Sequence, residues 1–264
     1  MELFDRRGKI LAPLSQELRR DLLEMVYQAG SGHIGGSLSC LEILLACYFS
    51  RVFDFTKDKF ILSAGHLAPA LYVVLAKLGF FPKNQLNTFT AFGSKLQGHG
   101  SIEVPGVFYS SGLLGQGLSV AAGWAIGDKK NKIICLTSDG EHDEGQLWEA
   151  VMLANKYKVG NLINIVDLND YQIDGTTAKI MPLGDLAEKY RGFGWRAIET
   201  DGHNVAKLIS VLEVAKKAEG SPTVIIARTV LGNGIPLIER NYHYHHVRNL
   251  SPKLYEQAKR QIQP

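Results

Sequence analysis

The spacing of apolar residues changes along the chain and predicts which segments form helices and which form strands. Between residues 15 and 30, apolar positions recur at helical spacing and stop at Gly30, which predicts an amphipathic helix. From residue 59 onward, short apolar runs typical of buried strands, such as 59–65 and 132–138, alternate with helical stretches of about ten to fifteen residues. This alternation predicts an α/β fold with a doubly wound, mostly parallel sheet and helices on both faces.

Two shorter segments carry more local predictions. Ser39 and Glu42 stand three positions apart before an apolar run, a pattern that predicts a capping box and a second helix beginning at Ser39. The polar, glycine-dotted stretch from Gly93 to Gly112 has no helical or strand period. At this length we expect it to be a functional loop rather than a disordered segment.

Composition limits the class of protein. A chain of 264 residues suffices for one large domain, which we expect to span residues 1–264. The net charge of +3 and the dispersed lysines and arginines do not suggest a nucleic-acid partner. Cys40, Cys47 and Cys135 lie in apolar stretches, which predicts free thiols and a cytoplasmic location. Without a long apolar run or a signal peptide, we expect a soluble protein that does not associate with membranes.

Oxygen-bearing side chains follow two successive predicted strands. Asp139 comes directly after one strand and Asn169 after the next, and parallel strands of such sheets bind ligands at their carboxyl ends. Gly140 permits close approach of a ligand, and the helix predicted to start near Asp143 favours anions. Carboxylate and amide oxygens suit Mg²⁺ or Ca²⁺ rather than zinc. The pattern predicts a magnesium diphosphate ligand; the alternative is that both residues only serve turns and caps.

Histidines follow glycine in three places, at SGH (31–33), AGH (64–66) and QGH (97–99). A single histidine of this kind is usually a loop residue, but three copies indicate imidazoles that address a polar ligand. HYHH (243–246) could hold zinc or nickel, although no cysteine lies nearby. His142 and His203 fit none of these patterns, and we expect them on the surface.

Several sequence blocks together resemble one enzyme family. SDGEHDEGQLWEA (138–150) followed by NLINIVDLNDYQIDG (161–175) resembles the thiamine-diphosphate signature, with Ser138 in place of its first glycine and Asp170 after the asparagine. Further blocks resemble transketolase segments in the family's order: GSGHIGGSLS (30–39), FILSAGH (60–66), LQGHGSIEVPGV (96–107), SSGLLGQGLSVAAGWA (110–125) and RTVLGNG (228–234). From about residue 10 to residue 250, the chain resembles the diphosphate-binding (PP) domain of transketolase, a thiamine-diphosphate-binding fold.

The resemblance implies a metal and diphosphate site. Asp139 and Asn169 match the family's side-chain metal ligands, and the backbone carbonyl of Tyr171 matches a third ligand. Gly140 matches the glycine whose amide meets the diphosphate. The implied cofactors are thiamine diphosphate and Mg²⁺, or Ca²⁺ in its place.

The same resemblance implies roles for four histidines. His66 and His245 resemble histidines that contact the diphosphate, with the neighbouring His246 as an alternative to His245 in register. His33 and His99 resemble those that face the donor sugar and the reactive carbon. The histidines at 33, 66 and 99 are therefore the expected catalytic residues.

The resemblance also implies a second chain. Gly112 and Leu114 match residues at the aminopyrimidine ring, and Glu144 matches a catalytic acid at the subunit interface. Transketolases need a pyrimidine domain and a C-terminal domain, which we expect on a separate chain because 264 residues do not accommodate them. The chain is thus interpreted as the N-terminal subunit of a split transketolase, in an α2β2 assembly with a C-terminal transketolase subunit.

The implied reaction moves a two-carbon ketol unit from a ketose phosphate to an aldose phosphate, both small-molecule sugar phosphates. One alternative is a related two-subunit enzyme that makes an acyloin, a deoxy sugar or a branched-sugar phosphate. Another is a non-catalytic half that stabilises its partner. A nicotinamide dehydrogenase is disfavoured because GLLGQG (112–117) does not have the spacing of GxGxxG.

Overall fold

The computed structural model describes residues 2–262, with side chains described from residue 11 onward. The helices are α1 (Glu2–Ala29), α2 (Ile34–Ser39), α3 (Leu41–Phe49), α4 (Ala68–Lys77), α5 (Gly117–Gly127), α6 (Gly145–Lys156), α7 (Thr177–Ile180), α8 (Leu186–Gly192), α9 (Val205–Lys217) and α10 (Pro252–Gln261). The strands are β1 (Ser31–Gly32), β2 (Lys59–Leu62), β3 (Ile133–Ser138), β4 (Leu162–Leu168), β5 (Tyr171–Gln172), β6 (Gly175–Thr176), β7 (Arg196–Asp201), β8 (Thr223–Arg228) and β9 (Val247–Arg248).

Five strands form the central sheet in the order β2-β3-β4-β8-β7, and all of its pairs are parallel. Successive residues of β3 point to opposite faces of this sheet. Ile134 and Leu136 join a core with α1, α3, α4 and α9, whereas Ile133 and Cys135 join a second core with α5, α6 and α8. Because both faces of the inner strands are buried, β3, β4 and β8 are mostly apolar, as the predicted doubly wound architecture requires, whereas the edge strand β7 is more exposed.

The predicted capping box at Ser39 is wrong. α2 ends at Ser39, Cys40 separates it from α3, and no side chain caps α3. The Ser39 hydroxyl instead donates to Asp167 Oδ2 at 2.5 Å, and the Glu42 carboxylate accepts from Arg19. Both polar groups are buried, so they pair with distant buried partners rather than with the backbone of the next turn.

Glu42 lies at the centre of a buried polar network. Its carboxylate accepts hydrogen bonds from the Ser15 hydroxyl at 2.5 Å, from the Arg19 guanidinium and from His203 Nδ1 at 3.0 Å. His203 Nε2 accepts from the Val230 amide at 2.7 Å. His203, expected on the surface, is partly exposed at 21%, and its ring joins α3 to the loop after β8.

The cysteine prediction is confirmed for the thiols themselves. Cys40, Cys47 and Cys135 are free and buried, and burial raises the pKa of each thiol. Among the helices described, none is both long and apolar enough to cross a membrane.

We expect Glu42→Ala to lower the free energy of unfolding by about 3 to 5 kcal/mol, because it leaves the buried Arg19 guanidinium without its carboxylate. Urea unfolding of both proteins measures the difference. Glu17→Ala is the matched control, since Glu17 pairs with Lys77 at the surface and its loss should cost less than about 1 kcal/mol. Equal losses for the two variants would contradict the structural role of Glu42.

Candidate active site

A cavity of about 320 Å³ lies at the carboxyl ends of β3 and β4. It is lined by His33, His66, His99, Gly112, Leu114, Ser138, Asp139, Gly140, Asn169, Tyr171, Gln172, Ile173, Asp174, Ile180 and His245. Every residue singled out from the sequence for the site lines this cavity except Glu144. The loop 93–112, expected to be functional, has no helix or strand and contributes two of the lining residues.

Hydrogen bonds join the turns that carry Asp139 and Asn169. Asp139 Oδ1 accepts from the Gly140 amide at 2.8 Å, and Oδ2 accepts from the Asp170 amide at 2.7 Å. Asn169 Oδ1 accepts from the Tyr171 amide at 3.0 Å. The turn after β3 is thereby fixed against the turn after β4.

The oxygens at this junction fit a divalent cation. Asp139 is 1% exposed, and burial, reinforced by the nearby Asp167, raises the pKa of its carboxyl well above the usual range. No basic side chain among the described residues forms an ion pair with it, and a buried carboxylate without a counter-charge is costly. One carboxylate, the Asn169 amide and the Tyr171 carbonyl form a hard oxygen set that suits Mg²⁺ or Ca²⁺.

Two departures from the family signature have structural explanations. Asp170 has φ of 67°, a left-handed conformation that asparagine, aspartate and glycine adopt more readily than other residues. Ser138 is the last residue of β3 and is not among the described residues with positive φ, so its backbone does not require glycine. Neither departure disturbs the positions of Asp139 and Asn169.

Asp167 orients Asn169, a role that the sequence did not reveal. Its fully buried carboxylate accepts from the Asn169 amide nitrogen at 3.1 Å and from the hydroxyls of Ser39 and Thr229. Because the nitrogen of Asn169 is held by this acid, the side-chain oxygen is the atom left for the Tyr171 amide and a ligand. The available signal was an acid within a mostly apolar strand, two positions before the asparagine.

Glu141 is a second buried acid whose role the sequence did not reveal. Its place just before α6 does not indicate burial, but Glu141 is fully buried. Its carboxylate accepts from the Ser63 hydroxyl at 2.6 Å, the Gly115 amide at 2.9 Å and the Ser138 amide at 2.9 Å. Glu141 thus holds the loop 110–116 against the end of β3.

Imidazole rings form one side of the cavity. The His33 ring centroid lies 5.4 Å from that of His66, 5.9 Å from His99, 5.7 Å from His245 and 4.5 Å from His246. Burial, with a smaller effect of neighbouring imidazoles, lowers the pKa of His33 to about 3 and that of His245 to about 4. These rings are neutral at pH 7 and can donate or accept hydrogen bonds there.

The fold agrees with comparisons to known proteins. Residues 13–262 match the family described as transketolase, thiamine diphosphate binding domain. The chain belongs to the transketolase family. It is 38% identical over 259 residues to one of the subunits of apulose-4-phosphate transketolase from Phocaeicola vulgatus, and the match covers 94% of this chain and 92% of that protein.

Two further transketolases extend the comparison. The chain is 38% identical over 254 residues to 6-deoxy-6-sulfo-D-fructose transketolase subunit SqwG of a Clostridium species, covering 91% of this chain and 92% of that protein. A transketolase mutant from Pichia stipitis, solved with xylulose 5-phosphate, matches with a TM-score of 0.86 at 26% identity. That match covers 94% of this chain and 40% of the Pichia chain. The family and the predicted fold class are confirmed.

In this transketolase-family chain, the residues beside Asp139 and Asn169 also fit a diphosphate. His245 is 8% exposed, and its Nδ1 has no hydrogen-bond partner among the described residues. A side chain at Gly140 would approach Gln172 to 3.3 Å, so glycine keeps this part of the cavity open. Of the two neighbouring histidines, His245 lines the cavity.

Glu144 lies outside the cavity. It is the exposed residue that precedes α6, and it packs beside Gly115. The interface role expected of Glu144 stays a prediction.

His142 is buried, so its predicted surface position is wrong. The ring is 3% exposed, its Nδ1 donates to the Ser138 carbonyl at 2.9 Å, and its Nε2 accepts from the Tyr190 hydroxyl at 3.0 Å. Tyr190 in turn accepts from the Asn164 amide at 3.0 Å. These hydrogen bonds connect the turn that carries Asp139 to α8 and β4.

We expect His142→Phe to lower the free energy of unfolding by about 1 to 3 kcal/mol, because the Ser138 carbonyl and the Tyr190 hydroxyl lose a buried partner. Amide hydrogen exchange of residues 138–142 should accelerate more than that of β8. His243→Phe, at an exposed histidine, is the control and should change neither measurement. Unchanged exchange in the His142 variant would show that these hydrogen bonds do not stabilise the turn.

The contribution of His33 and His245 to stability should fall as the pH drops from about 7 toward 4. In the unfolded chain, His33 and His245 have a pKa near the ordinary value of 6.5. Burial in the folded chain lowers the pKa of His33 to about 3 and that of His245 to about 4. The unfolded state therefore binds more protons in this window, and stability is lost as the pH falls. Urea unfolding at a series of pH values should give a shallower slope for His33→Gln, but an unchanged slope for His243→Gln.

Proposed function

We propose that this chain is the N-terminal, thiamine-diphosphate-binding subunit of a two-component transketolase. The proposed reaction transfers a two-carbon ketol unit from a ketose phosphate to an aldose phosphate. The observation that carries the proposal is that Asp139 and Asn169 line the same cavity as the neutral imidazoles. When bound, thiamine diphosphate would supply the electron sink, and the protein would orient it and exclude water.

The metal and diphosphate would be held at the strand ends. Asp139, Asn169 and the Tyr171 carbonyl would bind Mg²⁺, or Ca²⁺, and Gly140 would leave room for the diphosphate beside them. Asp167 supports this arrangement by fixing the orientation of the Asn169 amide. The metal would offset the cost of the buried Asp139 carboxylate.

The histidines would divide between cofactor and substrate. His66 and His245 would contact the diphosphate, and His33 and His99 would hydrogen-bond the donor hydroxyls and move protons to and from them. Positioned acid–base groups of this kind contribute about a hundred- to ten-thousand-fold to rate. Their lowered pKa values leave unprotonated nitrogens available at neutral pH.

A C-terminal transketolase subunit would complete the site. Gly112 and Leu114 would contact the aminopyrimidine ring, while Glu144 would lie at an interface of the α2β2 assembly. Leu113 is 69% exposed and Ile173 is 65% exposed near the cavity, which supports a covering partner. The names of the two relatives as subunits, each matched over 92% of its length, support a separate partner chain, and the free buried thiols support a cytoplasmic location.

A second candidate concerns the donor sugar. The two subunit relatives are named for apulose-4-phosphate and 6-deoxy-6-sulfo-D-fructose. These names favour a related two-subunit enzyme that acts on a branched or sulfonated sugar, with the same cofactor half. Ketol transfer from xylulose 5-phosphate, as in the pentose phosphate pathway, and these reactions would use the same cofactor site and differ in the donor sugar.

We expect ketol transfer only when this chain is mixed with the C-terminal subunit encoded beside it, Mg²⁺ and thiamine diphosphate. The assay uses ribose 5-phosphate as acceptor and compares xylulose 5-phosphate, apulose 4-phosphate and the sulfonated fructose as donors. Asp139→Ala should lower the activity by at least about a hundredfold, because removal of metal-site partners outside the ligand set already costs ten- to a hundredfold. Asp143→Ala, an exposed acid in the same turn, is the control. A complex that binds the cofactor but transfers no ketol unit would refute the proposal.

A further inference from the structure

His246 is an imidazole beside the cavity to which the proposed function gives no role. It directly precedes β9, which pairs antiparallel with β1 so that Gly32 lies opposite Val247. One position further in the same register, His33 lies opposite His246, and the two ring centroids are 4.5 Å apart with the planes at 64°. The short β1–β9 ribbon therefore places the His246 ring against His33, the histidine proposed to face the donor sugar.

The ribbon also fixes the orientation of this ring. His246 Nε2 lies 3.3 Å from the Ser31 hydroxyl, and the Asn249 amide donates to the Gly30 carbonyl at 2.7 Å. Among the described residues, His246 Nδ1 has no hydrogen-bond partner. A half-buried ring held by one nitrogen leaves its other nitrogen available to a ligand.

The surroundings of His246 favour a ligand rich in oxygen. Its neighbours are the imidazoles of His33 and His99, together with Arg248, which lies on β9 two positions after His246. Burial first, then Arg248 and His99, lower its pKa, and no carboxylate contributes to this shift. A neutral ring in a cluster without an acid can donate to a hydroxyl or an anionic oxygen without competition from an internal acceptor.

We propose that His246 is a substrate-binding, specificity-determining residue that donates a hydrogen bond to an oxygen of the sugar phosphate held against His33. The inference rests on the proposed function, because it places the donor sugar beside His33. It extends the imidazole face of the site by one residue, contributed by the segment that leads into β9. His246 binds substrate alongside His33 and takes no part in holding the cofactor.

Three variants of the reconstituted complex test this role. His246→Phe keeps a ring against His33 and removes the hydrogen-bond donor, so the KM for the ketose phosphate should rise about three- to tenfold while kcat stays within twofold. His246→Gln restores a donor and should recover part of the loss. His243→Ala, at an exposed histidine three positions earlier, should leave KM unchanged. Thiamine diphosphate affinity should be the same in all four proteins.

Calorimetry measures the Kd of xylulose 5-phosphate for the wild-type and His246→Phe complexes without added acceptor, as a second test besides the kinetics. A wild-type KM and Kd in the His246→Phe complex would overturn the role of His246 and leave the proposed function intact. Loss of cofactor affinity in that variant would also overturn it, because His246 would then serve the cofactor half of the site. A wild-type complex that binds cofactor, but neither binds nor converts any sugar phosphate, would refute both proposals.

Discussion

The parallel pairing of β3 with β4 is the constraint on which the site depends. Its register sets Ser138 beside Asp167, so the two following turns emerge side by side at one edge of the sheet. The Asp170 amide donates a hydrogen bond to the Asp139 carboxylate at 2.7 Å, which joins the two turns. A shift of one residue in this register would turn every side chain of a strand to the opposite face. It would both separate Asp139 from Asn169 and expose the apolar core.

Three buried carboxylates organise the structure around this junction. Glu42 joins α1 and α3 to the loops after β7 and β8, Glu141 holds the loop 110–116, and Asp167 fixes the amide of Asn169. Each acid accepts hydrogen bonds that include at least one from a partner distant in sequence, which makes its burial tolerable. Cavity shape is thus specified by polar groups that do not themselves line the cavity.

The sequence predicted the layers and the paired turns because those features follow from local periodicity. Alternation of strand and helix patterns predicted the sheet, and strand ends predicted that Asp139 and Asn169 meet. The failures at Ser39 and His142 share a cause: each side chain satisfies a buried partner far along the chain, such as Tyr190 for His142, at 48 positions. A local pattern of polar residues does not distinguish such a partner from solvent.

The β1–β9 ribbon brings together residues 215 positions apart, Ser31 and His246. The imidazole cluster consequently lacks His245 and His246 in any partly folded chain whose early helices and central sheet have formed without the returning C-terminal segment. Contacts of such long range form late because loop closure precedes them. A ligand that needs both His33 and His246 would therefore bind only after the tertiary structure is complete, and truncated chains or arrested folding intermediates would not bind it.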